Sequence, residues 1–76
     1  MCEFRKGQKV RVSSNNHNEN YNSFRMHVLK ITHVAHNRDE HPGYDEGIGG
    51  CLYDLYDTER KKSVGCSLYD YELESA

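Results

Sequence analysis

Long apolar segments are missing from this sequence of 76 residues. No run approaches the roughly 20 apolar residues that a membrane span requires, so we expect no membrane contact. Residues 2–6 do not lead into an apolar stretch, and a signal peptide is not expected either. Valine, isoleucine, leucine and phenylalanine number only 14, a share near that of disordered chains. Because the net charge is only −2, we predict one folded domain over residues 1–76, with a lean core that relies on tyrosine.

A dense, even set of cysteines is missing as well. Cys2, Cys51 and Cys66 are an odd number without C-x-x-C spacing, whereas a secreted disulfide scaffold requires an even set. Cys51 and Cys66 lie in apolar, strand-like segments, where cysteine usually packs as a small hydrophobic residue. Cys2 is expected to be a mobile surface thiol near the terminus. We therefore expect free thiols, a reducing cytoplasm and a stability that reductant does not change.

Charge is distributed unevenly along the chain. Residues 1–38 carry seven Lys/Arg against two Glu, whereas residues 39–76 carry three Lys/Arg against ten Asp/Glu. Such a division indicates either a dipolar surface with a partner at one pole or opposite charges paired across a sheet. Because the two halves of so small a domain must pack together, we favour pairing across a sheet.

Alternation of polar and apolar residues predicts strands. Residues 7–12 alternate with period two, as a half-buried strand does. Residues 51–57 and 63–68 form two further strands, joined by the charged connection 58–62. Residues 69–70 are typical of a tight 3₁₀ turn, and 71–74 of a short closing strand.

Residues 24–36 also fit helical spacing, but their β-branched content favours a strand. Val28 and Ile31 have opposite parity, so both can face one core only if that strand bends or carries a bulge. Two long loops flank this strand. The first, 13–23, is rich in Asn and Ser, and the second, 37–50, is rich in Gly. The predicted core consists of Val10, Val12, Val28, Ile31, Val34, Tyr53, Leu55, Val64, Cys66, Leu68 and Leu73.

The order of these elements resembles that of small SH3-like barrels. The resemblance rests on Lys6-Gly7-Gln8-Lys9-Val10-Arg11-Val12 at the start and on Leu68-Tyr69-Asp70-Tyr71-Glu72-Leu73-Glu74 at the end. Both ends are similar to the variable chain of ferredoxin–thioredoxin reductase and to small phage and cyanobacterial domains of unknown function. The resemblance implies an all-β, five-stranded, partly open SH3-like barrel with two long loops and a short 3₁₀ turn before the last strand. It carries over no functional residue.

Metal chemistry is suggested by His33, His36 and His41, which lie near several acids. On a strand, however, His33 and His36 point to opposite faces, whereas zinc requires converging ligands. The Gly-rich run 47–50 lacks the Gly-Lys-Ser/Thr ending of a phosphate-binding loop. We therefore expect neither a metal nor another cofactor.

Catalytic groups are also weakly supported. A cysteine nucleophile needs a lowered pKa. Cys51 and Cys66 have no charged neighbours in their strands, and Cys2 lies near Arg5 and Lys6 but at a terminus that is expected to fray. The carboxylate pairs Asp45/Glu46, Asp54/Asp57 and Asp70/Glu72 are expected mostly in water, where acid–base tuning is absent. We therefore expect that the protein is not an enzyme.

A small interaction module that binds a protein partner is the favoured function, acting as a monomer or weak homo-oligomer. The two long loops are its expected binding face, because exposed loop aromatics are free of packing duty. The candidate partner-binding residues are Tyr21, Phe24, His41, Tyr44, Asp45 and Glu46. The acids favour a basic or Arg-bearing partner. For Tyr44, packing over a thin core is an equally strong alternative.

Nucleic-acid binding is the alternative function. Basic residues 5, 6, 9, 11 and 25 could follow phosphates, while Tyr21 or Phe24 could stack on a base. The pI of about 6.2 argues against it, because dedicated nucleic-acid binders are usually basic.

Overall fold

The computed structural model describes residues 2–76 as an all-β chain with little helix. Its strands are β1 (Lys9–Val12), β2 (Leu29–Ala35), β3 (Leu52–Asp57), β4 (Lys62–Tyr69) and β5 (Leu73–Ser75). Short 3₁₀ segments span Glu19–Phe24 and Asp70–Glu72. The all-β prediction and the 3₁₀ turn before the last strand are confirmed. Within residues 2–76, neither helical segment has the length and apolar character needed to cross a bilayer.

All five strands belong to one antiparallel sheet in the order β4-β3-β2-β1-β5. The four successive strands β1 to β4 form a meander, and β5 returns to pair with β1, placing Arg11 opposite Glu74. Their side chains form the Arg11–Glu74 ion pair at 3.5 Å, which is the expected pairing between the two halves of the chain. Strands β4 and β5 are the two edges, and among the described residues the sheet does not close into a barrel.

The long strand β2 carries a bulge, but it lies after Ile31 and not between Val28 and Ile31, the pair whose parity suggested one. Its register against β3 shifts between Ile31 and His33. Leu29 and Ile31 are fully buried before the shift, and Val34 packs against the same core after it. An extra residue in one strand reverses the alternation, so residues of opposite parity reach one face. Val28 precedes the strand and is only half-buried.

The main core lies on one face of the sheet. Seven predicted members are buried: Val10, Val12, Ile31, Tyr53, Leu55, Leu68 and Leu73. Val34 and Val64 are only partly buried, and Cys66 is exposed, so its assignment to the core is wrong. Phe24, Leu29 and Cys51 complete the core and were not predicted.

A second, smaller cluster consists of Ala35, Tyr44 and Leu52, with Tyr69 packed against it. Leu52 and Tyr53 are consecutive residues of β3, so their side chains point to opposite faces of the sheet. The second cluster therefore covers the face opposite the main core, where the loop 37–50 folds back over the sheet. Tyr44 is 5% exposed and belongs to this cluster.

Strand β4 carries a further irregularity between its pairings with Asp54 and Tyr56 of β3. Asp54 lies opposite Ser67, whereas Tyr56 lies opposite Ser63, which leaves extra residues in β4. Gly65 lies among them with a φ of +90°, a backbone conformation that is strained for any residue other than glycine. Cys66 follows directly, and the disturbed alternation explains why its side chain does not enter the core.

Candidate functional site

The turn that follows β4 is the point where both long loops meet the sheet. Glu72 is only 7% exposed. Its side chain accepts hydrogen bonds from the Tyr21 hydroxyl at 2.8 Å and from the Tyr69 amide at 3.0 Å. Tyr21 comes from the first loop. The Tyr69 hydroxyl accepts a hydrogen bond from the Asp45 amide of the second loop at 2.8 Å. The segment 69–72 is therefore held from both sides.

Asp70 fixes the same turn to the start of β3 and to the N-terminal arm, residues 2–8. Its carboxylate accepts hydrogen bonds from the Cys51 amide at 2.7 Å, the Glu3 amide at 3.3 Å and the Tyr53 hydroxyl. Gly50 has a φ of +74°, and a Cβ there would lie 2.6 Å from an Asp70 oxygen. Glycine at position 50 thus lets the backbone approach this carboxylate closely.

Tyr71 is the large aromatic side chain that this turn presents to solvent. It is 68% exposed, and its ring stacks on that of Tyr69 with centroids 6.2 Å apart and an interplanar angle of 14°. Tyr69 in turn packs against Tyr44 at 6.0 Å. A row of three tyrosines therefore runs from the second cluster to the surface, and its outer ring is supported from below.

Carboxylates lie near both ends of this row, Glu72 near Tyr71 and Glu46 near Tyr44. Glu72 raises the pKa of the Tyr71 hydroxyl, with a further contribution from burial. Burial, followed by the charge of Glu46, raises the pKa of Tyr44. Asp45 and Glu46 are exposed beside these rings. We call Tyr69, Tyr71, Asp45 and Glu46 the acidic aromatic patch; Arg38 approaches its flank, donating to the Tyr44 carbonyl at 3.3 Å.

The aromatics expected on the binding face are placed differently by the structure. Phe24 is 2% exposed, so its assignment to an exposed face is wrong; Tyr44 is 5% exposed, so of its two expected roles packing over the core is the one observed. Apolar area is scarce in this chain, and burial of each ring gains more free energy than exposure. Tyr21 is half-buried against Phe24 and bound to Glu72. Burial and that hydrogen bond raise its pKa.

Sequence reasoning missed Tyr71 because it was assigned to a closing strand. The signal that could have identified it is the Tyr-Asp-Tyr-Glu run 69–72, where one turn must share two tyrosines and two acids. Asp45 and Glu46 are exposed beside this turn, as the loop argument requires.

His41, Ser67 and Asp54 have the composition of a nucleophilic triad but not its arrangement. The His41 Nδ1 accepts the Gly43 amide at 3.0 Å, so Nε2 carries the proton and donates to Ser67 at 3.0 Å. Ser67 donates its own proton to Asp54. A serine nucleophile requires the opposite, a histidine nitrogen that accepts its proton. The chain of hydrogen bonds instead attaches the loop 37–50 to β3 and β4.

Cys2 and Cys51 form a disulfide across 49 positions, with their Cα atoms 5.5 Å apart. The expectation of three free thiols and of a mobile Cys2 is therefore wrong. The N-terminal arm runs back over β3, where the Phe4 amide donates to the Tyr53 hydroxyl at 3.1 Å. This return brings Cys2 to Cys51, and no local spacing in the sequence indicates it.

Cys66 is the remaining thiol and is exposed in a groove between the loop 37–50 and β4. Burial of its sulfur, reinforced by the charge of Glu72, raises the pKa of the thiol. A raised pKa reduces the thiolate fraction and hence nucleophilicity. The structure therefore places no activated cysteine here.

Asp57 and Glu72 are both buried, which corrects the expectation that the paired acids lie mostly in water. Asp57 is the last residue of β3, where it accepts hydrogen bonds from His27 Nδ1 at 2.9 Å and from Arg60 Nε at 2.6 Å. Burial alone would raise the pKa of Asp57, but the hydrogen bonds from His27, Arg60 and Glu59 hold it well below its ordinary value. These contacts make it a structural anchor.

A basic groove of about 660 Å³ lies elsewhere on the sheet. Lys6, Lys9 and Lys30 line it together with the half-buried Tyr56. Lys9 and Lys30 are directly opposite each other in the β1–β2 pair, an arrangement of like charges that destabilises a sheet.

The three histidines considered as metal ligands, His33, His36 and His41, do not gather around one point. Within residues 2–76 the group of metal-type ligands that does converge consists of Cys2, His36 and Cys51, with one ligand atom from each within 4.8 Å of the others.

Comparison with known proteins gives no match: no family model fits the chain, and neither a curated protein nor a solved structure resembles it significantly.

Proposed function

We propose that this chain is a small non-enzymatic interaction module that binds an arginine-bearing segment of a protein partner through the acidic aromatic patch. One observation carries the proposal: Tyr71 is 68% exposed and stacked on an immobilised Tyr69. This small chain has little apolar area for its core, yet the Tyr71 ring lies in solvent at an ordered turn, which favours a role in binding. Tyrosine combines a large apolar surface with a polar tip, which suits an interface.

The rigidity of the patch favours binding. Tyr69 is held by the Asp45 amide and by the Tyr44 ring, so the stacked Tyr71 ring has a defined support before any partner arrives. A preorganised side chain loses less conformational entropy when it binds.

The charges of the patch select the partner. Burial, followed by the charge of Glu46, raises the pKa of Tyr44, and Glu72 raises the pKa of Tyr71, while Asp45 contacts Tyr69 through its backbone amide. A guanidinium group can stack on a tyrosine ring and bind a carboxylate at the same time, whereas an acidic segment is repelled. Because few charges take part, a modest salt dependence is expected.

The test is a titration of the labelled protein with a short arginine-rich peptide, followed by amide chemical shifts. Shifts at residues 45–46 and 69–72 are expected, with weaker binding of a lysine version and none of a glutamate version. Tyr71→Ala should weaken binding about fivefold, equivalent to about 1 kcal/mol, while Tyr71→Phe retains it. Tyr56→Ala is the matched control, because Tyr56 lies in the basic groove. Equal binding by wild type and Tyr71→Ala would reject the proposal. Where the peptide distinguishes wild type from Tyr71→Ala, capture from host lysate with these two forms as baits would identify the partner.

A nucleic-acid accessory role is the second candidate, and the basic groove supports it. The opposed Lys9 and Lys30 destabilise the sheet unless an anion lies between them, and Tyr56 offers a ring on which a base can stack. A gel shift with single- and double-stranded DNA and RNA tests this role at several salt concentrations. Loss of a shift in the Lys9→Gln, Lys30→Gln double variant, but not in Tyr71→Ala, would support it.

The proposal also includes the barrel architecture, the oligomeric state and the cellular location of the protein. The element order and the 3₁₀ turn at 70–72 support an SH3-like, partly open barrel of one domain over 1–76. A monomer or weak homo-oligomer, and a cytoplasmic location, stay predictions. The disulfide removes the thiol argument on which the reducing compartment rested.

A further inference from the structure

Cys2, Cys51 and His36 come from three separate parts of the chain and meet at one end of the sheet. Ala35 pairs with Leu52 across β2 and β3, so His36 and Cys51 each lie one residue beyond that pair. The N-terminal arm adds Cys2. Both sulfurs and one ring nitrogen of His36 lie within 4.8 Å of one another. Cys51 is buried, Cys2 half-buried and His36 exposed, so solvent reaches the group from one side.

His36 is already oriented by a carboxylate. Its Nδ1 and its backbone amide both lie 2.9 Å from Glu40 Oε1. An ionised carboxylate only accepts hydrogen bonds, so Nδ1 carries a proton, and in the neutral ring Nε2 offers its lone pair. Metal-binding histidines are commonly held by a carboxylate in this way, which fixes the tautomer and raises the basicity of the other nitrogen.

We propose that the reduced form of this group binds one Zn²⁺ through the Cys2 and Cys51 thiolates and His36 Nε2. Two thiolates and an imidazole are a ligand set that zinc prefers, and three protein ligands leave a fourth position for water. The disulfide and the metal exclude each other, because zinc binds cysteine thiolates and the sulfurs of a disulfide carry no negative charge. In a reducing compartment the metal form would replace the disulfide as the link between the arm and β3.

The disulfide form is converted to the zinc form in two steps, reduction and metal binding. A phosphine reductant and one water molecule convert the disulfide to two thiols and a phosphine oxide. Zinc then displaces one proton from each thiol to solvent as two Zn–S bonds form. Tetrahedral ligation at Zn–S distances of about 2.3 Å separates the sulfurs to about 3.8 Å. The half-buried Cys2, which lies outside the strands, is the side that can make this movement.

The experiment uses protein reduced with a phosphine, desalted without oxygen and titrated with Co²⁺. A visible thiolate-to-cobalt band that saturates at one equivalent and disappears on addition of Zn²⁺ is expected. Zn²⁺ should also raise the melting temperature of the reduced protein. The oxidised protein should give neither signal. A reduced protein that gives no thiolate-to-cobalt band overturns the proposal.

Variants separate this site from unspecific thiol binding. Cys66→Ser should bind normally, because Cys66 lies outside the group. Cys2→Ser should lose the band, and a band that survives this change contradicts the proposal. His36→Gln keeps both cysteines, so the melting temperature of its oxidised form verifies folding; its metal affinity should fall at least tenfold. Glu40→Gln should lower affinity by roughly 10- to 100-fold as a positioning residue. Unchanged affinity in His36→Gln would exclude the histidine as a ligand.

Discussion

The two ends of the β3–β4 ribbon are each organised by acidic side chains, but the partners of those acids differ. At the hairpin end, Asp57 is paired with the cationic or protonatable side chains of Arg60 and His27. At the open end, Asp70 and Glu72 accept from the neutral hydroxyls of Tyr53 and Tyr21.

This difference separates stability from presentation. The hairpin end buries its acid between the β3–β4 turn and the segment before β2, with Arg60 also lying 5.6 Å from the Phe24 ring centroid. The open end joins the arm, both long loops and the last strand, and it carries the exposed Tyr71. One end therefore fixes the ribbon, whereas the other gathers distant segments and forms a surface.

Reduction of the disulfide is expected to have the largest effect on the open end. Closing a loop of 49 residues contributes about 4 kcal/mol in the chain-entropy model. Phosphine with a chelator should lower the melting temperature by about 15 °C or more, measured by calorimetry. Cys66→Ser, treated identically, should show the same loss. An unchanged melting temperature would restore the sequence-based expectation of independent thiols.

Asp57→Asn tests the hairpin end. The change leaves Arg60 and His27 facing a neutral group inside the turn, which should cost about 3 kcal/mol of unfolding free energy. Urea denaturation measures the loss, with the exposed Asp39→Asn as a control that should change little. Binding of the arginine-rich peptide per folded molecule should be unaltered. A cost equal to that of the control would mean that the buried pairing is unimportant.

Tyr53→Phe tests the open end without breaking its covalent link. The Asp70 carboxylate loses a donor and the Phe4 amide loses its acceptor, so about 1–2 kcal/mol of stability should be lost. Tyr56→Phe is the matched control on the same strand. If both variants unfold at the same urea concentration, the hydroxyl of Tyr53 has no anchoring role.

The two ends should also respond at opposite extremes of pH. The lowered pKa of Asp57 gives stability that is present above about pH 4 and lost as pH falls. The pKa values of Tyr21 and Tyr53 are raised by burial and by their carboxylate partners. Their contribution is present below about pH 10 and lost as pH rises, by at most about 1.4 kcal/mol per pH unit for each group.

Denaturant titrations across the pH range check these two arms. Asp57→Asn should flatten the acid arm alone, and Tyr53→Phe the alkaline arm alone. Identical flattening of both arms by either variant would contradict the distinction between the two ends.

Tyr71→Ala should have the smallest effect on stability. Its ring is 68% exposed and supports no core residue, so the unfolding free energy should change by less than about 0.5 kcal/mol. Urea denaturation checks this against Tyr44→Ala, which opens the second cluster and should cost several times more. A large loss in Tyr71→Ala would make it a structural residue and weaken its proposed role in binding.

Local pattern determined much of this fold. The alternation at 9–12 and the β-branched content at 28–34 predicted β1 and β2. The parity of Val28 and Ile31 suggested a bend or bulge, but the bulge in β2 lies after Ile31 and brings Val34, not Val28, to the same face. These features depend on residues close in sequence, where side-chain direction follows from backbone period. The acids at 45–46 were likewise recognised as exposed, since no local apolar pattern would bury them.

The tertiary structure decided what lies between distant segments. Whether Tyr44 faces a partner or the core depends on how the loop 37–50 folds over Leu52, and the disulfide depends on the return of the arm to Cys51. The solvent exposure of Tyr71 depends on two acids held by Tyr21 and Tyr53, about 50 and 17 residues away. Sequence alone determined the strands because their periodicity is local, whereas the site was decided by long-range contacts whose partners no neighbouring residue specifies.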